Sequence, residues 1–151
     1  MGKSLESTKG SVWALFLTAH AVLVDAIERR LAQADLPPLG WYDLLWALER
    51  SPGQRLRMSE LAEKVVLSRS NLTRLVDRLE EAGLVSRERS EDDRRGAYAV
   101  LTEAGREMRR RMWPVYEGGI RQLFEGRLSE AEAETLGAVL RRLLAAAREI
   151  G

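Results

Sequence analysis

Apolar residues recur three and four positions apart from Val12 to Ala34. Trp13, Leu17, His20, Val24, Ile27 and Leu31 form one stripe, and Phe16, Ala19 and Leu23 form a second beside it. That period predicts one long helix. Two adjacent apolar stripes need more partner surface than one neighbouring helix offers, so the pattern predicts burial at a subunit interface. Leu36-Pro37-Pro38-Leu39-Gly40 then stops the helix, because proline removes a donor and restricts the residue before it.

The spacing predicts a second, short helix over Trp41 to Arg50, with Leu44, Leu45 and Leu48 on its core face. Ser51-Pro52-Gly53-Gln54 reads as a turn. Ser59 is placed to cap a third helix, Glu60 to Val65, with Glu60 at its positive end. Ser68 is placed to cap a fourth, Arg69 to Ala82, which Gly83 closes in the left-handed conformation. Val85 to Arg89 and Ala97 to Leu101 read as two short strands joined by a charged loop, Ser90-Glu91-Asp92-Asp93-Arg94-Arg95-Gly96. Thr102 caps a long helix to about Phe124, in which Pro114 predicts a kink or break. Ser129-Glu130-Ala131-Glu132 is a capping box opening a last helix that carries Leu136, Val139, Leu140, Leu143 and Leu144.

The order predicts a mainly α fold with a small β-hairpin wing. Residues 39–101 form a compact winged helix-turn-helix lobe. Residues 1–38 supply an N-terminal dimerisation helix, and residues 102–151 supply C-terminal helices that complete a dimerisation bundle.

Two short helices joined by Val66-Leu67-Ser68 fit a helix-turn-helix. In the second, Leu72, Leu75, Val76 and Leu79 make an apolar face, while Ser70, Thr73, Arg74 and Asp77 fall at i, i+3, i+4 and i+7 on another. Arg69 and Arg78 border that polar face. Small hydroxyls approach base edges or phosphates, and arginine grips guanine in two places. Asn71 near the helix start is suited to adenine or a phosphate, and the helix N-terminus itself attracts phosphate. A polar outer face is equally what an ordinary solvated helix carries. The hairpin adds specificity: Asp93 and Arg95 are two apart, where a carboxylate can hold an arginine for entry into a narrow minor groove.

Composition narrows the alternatives. The chain has 151 residues, 31% of them charged, and a net charge of +1, so basic character for nucleic acid must be local. It has no cysteine, which excludes disulfides, zinc fingers and thiol sensing. One histidine, His20, cannot build a multi-histidine metal site or a nucleophile-base-orienter set, so neither a metal, a cofactor nor an enzyme is expected. Met1 to Gly10 are polar and lack the apolar core of a secretory signal. The apolar run from Val12 to Val24 is too short to span a bilayer. A soluble, cytoplasmic protein with no membrane partner is expected.

Met58-Ser59-Glu60-Leu61-Ala62, the run from Ser68 to Val85 with V-D-R-L-E-E-A-G-L-V at its end, Asp93-Arg94-Arg95 and Leu101-Thr102-Glu103-Ala104-Gly105 together resemble the MarR family of bacterial regulators. The resemblance covers nearly the whole chain. It implies transcription regulation by a triangular homodimer whose first and last helices intertwine. Two recognition helices would enter successive major grooves of a pseudo-palindromic operator in double-stranded DNA, with half-sites about 34–36 Å apart. Arg95 takes the minor-groove position with Asp93 orienting it, and Arg94 serves a phosphate. Repression relieved by a ligand is the usual outcome, although activators exist.

The resemblance also implies a small aromatic or anionic effector between the dimer helices and the lobe. Trp13, His20, Asp43, Trp46 and Trp113 are the candidates, since aromatic walls suit flat ligands. Taken singly, a tryptophan on an apolar stripe is usually core, and a lone histidine near it is more often a buried or interfacial hydrogen-bonder. Trp41 and Asp43, with Arg87 or Arg89, also resemble the urate-responsive branch. A regulator with no effector, or a winged-helix protein-interaction module that binds no DNA, remains as an alternative. The wing reading predicts that Arg95→Ala weakens operator binding in a gel-shift titration. Unchanged affinity at physiological salt excludes the minor-groove role.

Overall fold

The computed structural model describes residues 8–65, 69–89 and 96–150, and the side chains of all but 69 and 70 among them. Helix α1 (Thr8–Gln33) ends in paired main-chain bonds, Leu36 N–H to Leu31 O at 2.9 Å and Asp35 N–H to Ala32 O at 3.0 Å. Asp35 takes the left-handed position there, at φ +57, where a short polar side chain is tolerated better than most. Helix α2 (Leu39–Glu49) begins two residues earlier than the sequence pattern suggests. Pro38 ends the connection, and its carbonyl accepts the Trp41 N–H at 3.0 Å. Ser51, buried after the helix, donates to Ala47 O at 2.7 Å.

A turn at Pro52–Gln54, with Gly53 at φ +69, leads into strand β1 (Arg55–Arg57). This strand is absent from the sequence-based expectation. Three residues, two of them arginines, carry too little alternation to declare a strand, and β1 exists because it pairs with a distant partner. Helix α3 (Met58–Lys64) follows directly. Ser59 therefore lies inside its first turn and is not its cap. Instead the Arg57 N–H donates to Glu60 Oε1 at 3.1 Å. Helix α4 (Arg69–Glu81) closes as expected on Gly83 at φ +77. The Gly83 N–H donates to Glu80 O and the Leu84 N–H to Leu79 O, the paired pattern of a left-handed helix end. The proposed Ser68 cap lies outside the described residues.

Strands β2 (Val85–Arg89) and β3 (Ala97–Leu101) match the expected hairpin. β3 is central in an antiparallel sheet of order β1-β3-β2. Leu56, Ala99 and Arg87 are in register on one face, and Arg57, Tyr98 and Glu88 on the other. The first face packs on the helices. Leu44, Leu45 and Leu48 of α2, Leu61 of α3, and Leu72, Val76 and Leu79 of α4 join Leu56, Val85, Ala99 and Leu101 of the sheet in one buried aliphatic core. At about 1.5–3 kcal/mol per fully buried large side chain, this core dominates the lobe's stability.

Helix α5 (Glu103–Leu123) starts against the same core. Thr102 caps it, accepting the Gly105 N–H at 3.1 Å and donating to Gly83 O at 2.7 Å. The helix runs through Pro114 without the break that proline suggested. Pro114 and Arg110 are both exposed, so the carbonyl that loses its donor can be hydrated.

By internal contacts the chain divides into residues 1–116 and residues 117–151. In the first unit, α1 buries Gly10, Ile27 and Leu31 but exposes Val12, Trp13, Leu15, Phe16, Leu17 and Val22. By length and composition alone α1 is long and apolar enough to cross a membrane, a test that the core helix of a soluble protein also passes. In the second unit, Ser129 and Glu132 exchange N–H bonds at 3.0 and 3.1 Å, the expected capping box. Helix α6 (Glu130–Ile150) buries no residue and exposes Leu143 and Leu144.

A Cβ at Gly105 would lie 2.2 Å from the Leu84 carbonyl oxygen, a contact with main chain that cannot step aside. Gly105→Ala therefore costs about 1–3 kcal/mol of stability in urea unfolding. Gly118→Ala, with nothing within 4 Å, is neutral or mildly stabilising. Equal effects of the two would refute the close approach.

Candidate nucleic-acid interface

Helix α4 sorts its residues cleanly. Leu72, Val76 and Leu79 are buried, and Asn71, Thr73, Arg74 and Arg78 are exposed. The expected base-reading positions thus share the outward side of one helix, and the core that seats the helix decides that orientation. Arg69 and Ser70 start the same helix, but their side chains are not described. Ser68, Asp93, Arg94 and Arg95 lie outside the described residues.

Asp77, expected on the groove-facing side, is engaged elsewhere. Arg87 of β2 reaches it through Nη2 at 2.5 Å and reaches Glu80 Oε1 through Nη1 at 3.2 Å. The Arg87 main-chain N–H donates to Glu80 Oε2, also at 3.2 Å. Arg87 is therefore a structural partner of α4, which leaves it badly placed as the effector-binding arginine that the urate comparison suggested.

On the opposite sheet face, Tyr98 lies under two guanidinium groups, Arg55 at 4.5 Å and Arg57 at 5.5 Å from the ring centre. Arg57 Nε donates to the Tyr98 hydroxyl at 3.2 Å, and Glu88 lies 3.7 Å from Arg55. The sequence reading missed this group because it did not foresee β1.

The candidate effector residues separate into two sets. Trp46 and Trp113 belong to a cluster between α2 and α5. Tyr42 stacks on Trp113 at 5.8 Å, and Tyr116 meets Tyr42 edge-on at 5.0 Å. Arg109 pairs with Glu49 at 2.6 Å, with the two side chains only 15% and 14% exposed. The contact is ionic, since Arg109 Nε makes no aligned hydrogen bond. The Arg109 guanidinium also lies 4.9 Å from the Trp46 ring centre, and Arg50 lies 5.6 Å from it. Trp46 thus already carries two cations. Trp13, 57% exposed, has Phe16 as its ring neighbour at 6.4 Å, and His20 is exposed on the same helix.

Tyr42, Glu49, Arg109 and Tyr116 were missed as members of this cluster. The signal was present: Tyr42, Trp46 and Glu49 fall at i, i+4 and i+7, and so do Arg109, Trp113 and Tyr116. Asp43 is open to solvent, yet partial desolvation pushes its carboxyl above the ordinary carboxylate range. Burial also pushes up the Tyr116 phenol, helped by the charges of Asp43 and Tyr42.

A raised carboxyl pKa means that the folded state binds this proton more tightly than the unfolded state. The ionised form therefore opposes folding at neutral pH, and the penalty fades as pH falls through the raised range. Asp43→Asn raises the melting temperature at pH 7, and the gain shrinks on acidification. A gain that grows toward low pH would reverse the assignment.

The chain matches the MarR family over residues 34–96. It is 36% identical over 100 residues to the transcriptional repressor MprA of Escherichia coli K12; the match covers 66% of this chain but only 56% of MprA. The structure is similar to AbsC, a MarR family transcriptional regulator from Streptomyces coelicolor, at TM-score 0.88 and 34% identity, covering 96% of this chain and 97% of that one. It is also similar to Sco3205 of the same organism, a MarR family regulator solved in complex with DNA, at TM-score 0.85 and 37% identity, covering 90% of this chain and 85% of that one.

Proposed function

Because this chain belongs to the MarR family, we propose that it is not an enzyme but a homodimeric, sequence-specific transcriptional regulator acting on double-stranded DNA in the cytoplasm. The observation that carries this reading is α4, whose exposed Asn71, Thr73, Arg74 and Arg78 stand opposite buried Leu72, Val76 and Leu79. That is the side-chain set a major groove requires. The DNA-bound form of Sco3205 supports it. Ser68, Arg69, Ser70, Arg94 and Arg95, with Asp93 orienting Arg95, complete the proposed DNA contact.

Residues 39–101 act in this reading as the DNA-binding lobe, and residues 1–38 and 102–151 as the dimer-forming segments. The apolar surface of α1 supports that division. Leu143 and Leu144 of α6 add to it, as does an apolar groove of about 470 Å³ lined by Leu128, Leu136 and Val139. Exposed apolar surface of this extent marks an interaction site. Repression, with release by a small aromatic or anionic ligand, is the proposed outcome. Trp46, Trp113 and Asp43 lie at or beside one aromatic cluster, while Trp13 and His20 on α1 would join the site from the dimer side.

Selection from genomic fragments tests the reading. The protein is expected to enrich a pseudo-palindromic duplex and to scatter light as a dimer at micromolar concentration. No enrichment overturns DNA binding and leaves the protein-interaction alternative; a monomer overturns the assignment of the terminal helices.

A further inference from the structure

We infer that Arg87 is a positioning residue for DNA reading: it locks the wing sheet to the recognition helix so that the two engage the duplex as one rigid body. The inference rests on the proposed DNA-binding role.

Arg87 sits on the sheet face shared with Leu56 and Ala99, which are both buried. An apolar residue would continue that face. Arginine instead extends along it and ends between two carboxylates of α4. Asp77 and Glu80 are three residues apart and so lie on one side of that helix. The planar guanidinium fork meets both, at 2.5 and 3.2 Å, a geometry that lysine's single ammonium cannot reproduce.

Glu80 holds the Arg87 main-chain N–H as well as its side chain. The strand's backbone, and not just a long side chain, is therefore tied to the helix. The aliphatic core sets how deeply α4 is seated, but apolar contacts tolerate sliding. The Arg87 clamp adds direction, and removes the slide and roll of β2 along α4.

The clamp has a second consequence. Asp77 is three residues from Arg74 and four from Thr73, both on the outward side of α4. With Arg87 absent, Asp77 would present an uncompensated charge to phosphate and compete for Arg74 one turn away. Arg87 holds that carboxylate toward the sheet. The ion pairs are 30% exposed at Arg87 and more so at the carboxylates, so they add little to global stability. Their role is orientation.

The test uses the full-length protein, the duplex it enriches from a random library, and a scrambled duplex of equal composition. Arg87→Ala is expected to lower affinity for the selected duplex about tenfold, a size common for coupling between linked sites. Affinity for the scrambled duplex should fall less than that for the selected duplex, through the uncompensated Asp77 charge alone, and the melting temperature should change little. The salt dependence of binding should keep its slope. Asp77→Asn should cause no further loss in the Arg87→Ala background and should recover the part of the loss that comes from the uncompensated Asp77 charge. Arg87→Lys, which keeps the charge and loses the fork, should give most of the specific loss and serves if the alanine variant is unstable.

A slope reduced by about one per subunit would make Arg87 a direct phosphate contact and overturn the inference. An unchanged specificity ratio, or additive losses with Asp77→Asn, would overturn it as well. If the wild type itself does not distinguish the two duplexes, the DNA-binding reading fails instead.

Discussion

Leu72, Val76 and Leu79 descend from one side of α4 into a core that α2, α3 and the sheet build around them. That burial is the constraint on which the rest of the molecule depends. It fixes the rotation of α4 about its own axis, and so determines that Asn71, Thr73, Arg74 and Arg78 face outward. Rotating α4 by one residue would bring polar groups into the core unpaired, at a cost of several kcal/mol. The polar, outward face of α4 is thus the complement of its core face.

Around this seat the polar interactions supply direction. At the C-terminal end of α4, Gly83 allows a left-handed exit, its carbonyl accepts the Thr102 hydroxyl, and Gly105 lets α5 approach the Leu84 carbonyl. Three chain segments are thereby joined within a few residues. Along the side of α4, Arg87 binds Asp77 and Glu80. On the far side of α2, the Glu49–Arg109 pair and the Tyr42–Trp113 stack connect α2 to α5. The lobe is thus held to the start of α5 by an ion pair and an aromatic stack as well as by the core.

The terminal helices behave differently. Much of the apolar side of α1 is exposed, and no residue of α6 is fully buried within one chain. An isolated copy would expose these surfaces to water at substantial cost, which is the physical ground for expecting a second copy to cover them.

Local sequence is enough to specify the helices, the β2–β3 hairpin, the capping of α5 and α6 and the glycine that ends α4. Each of these rests on a period, a cap or a turn read within a few residues. The side of α4 that is polar and exposed is legible in the same way, because amphipathic spacing is local. Tertiary structure alone decided β1, whose three residues become a strand only by pairing with Val100, Ala99 and Tyr98 some forty positions away. It decided that Arg57 and not Ser59 precedes α3, since β1 brings the chain to the helix. It decided the partners of charges: Asp77 went to Arg87, and Arg109 went to Glu49 and Trp46. A charged side chain has no periodic signature of its partner, because a long flexible arm can reach several neighbours, and only packing selects among them. The amphipathic helix α4 was legible as a pattern; the Arg87 contacts that tie it to β2 required the fold.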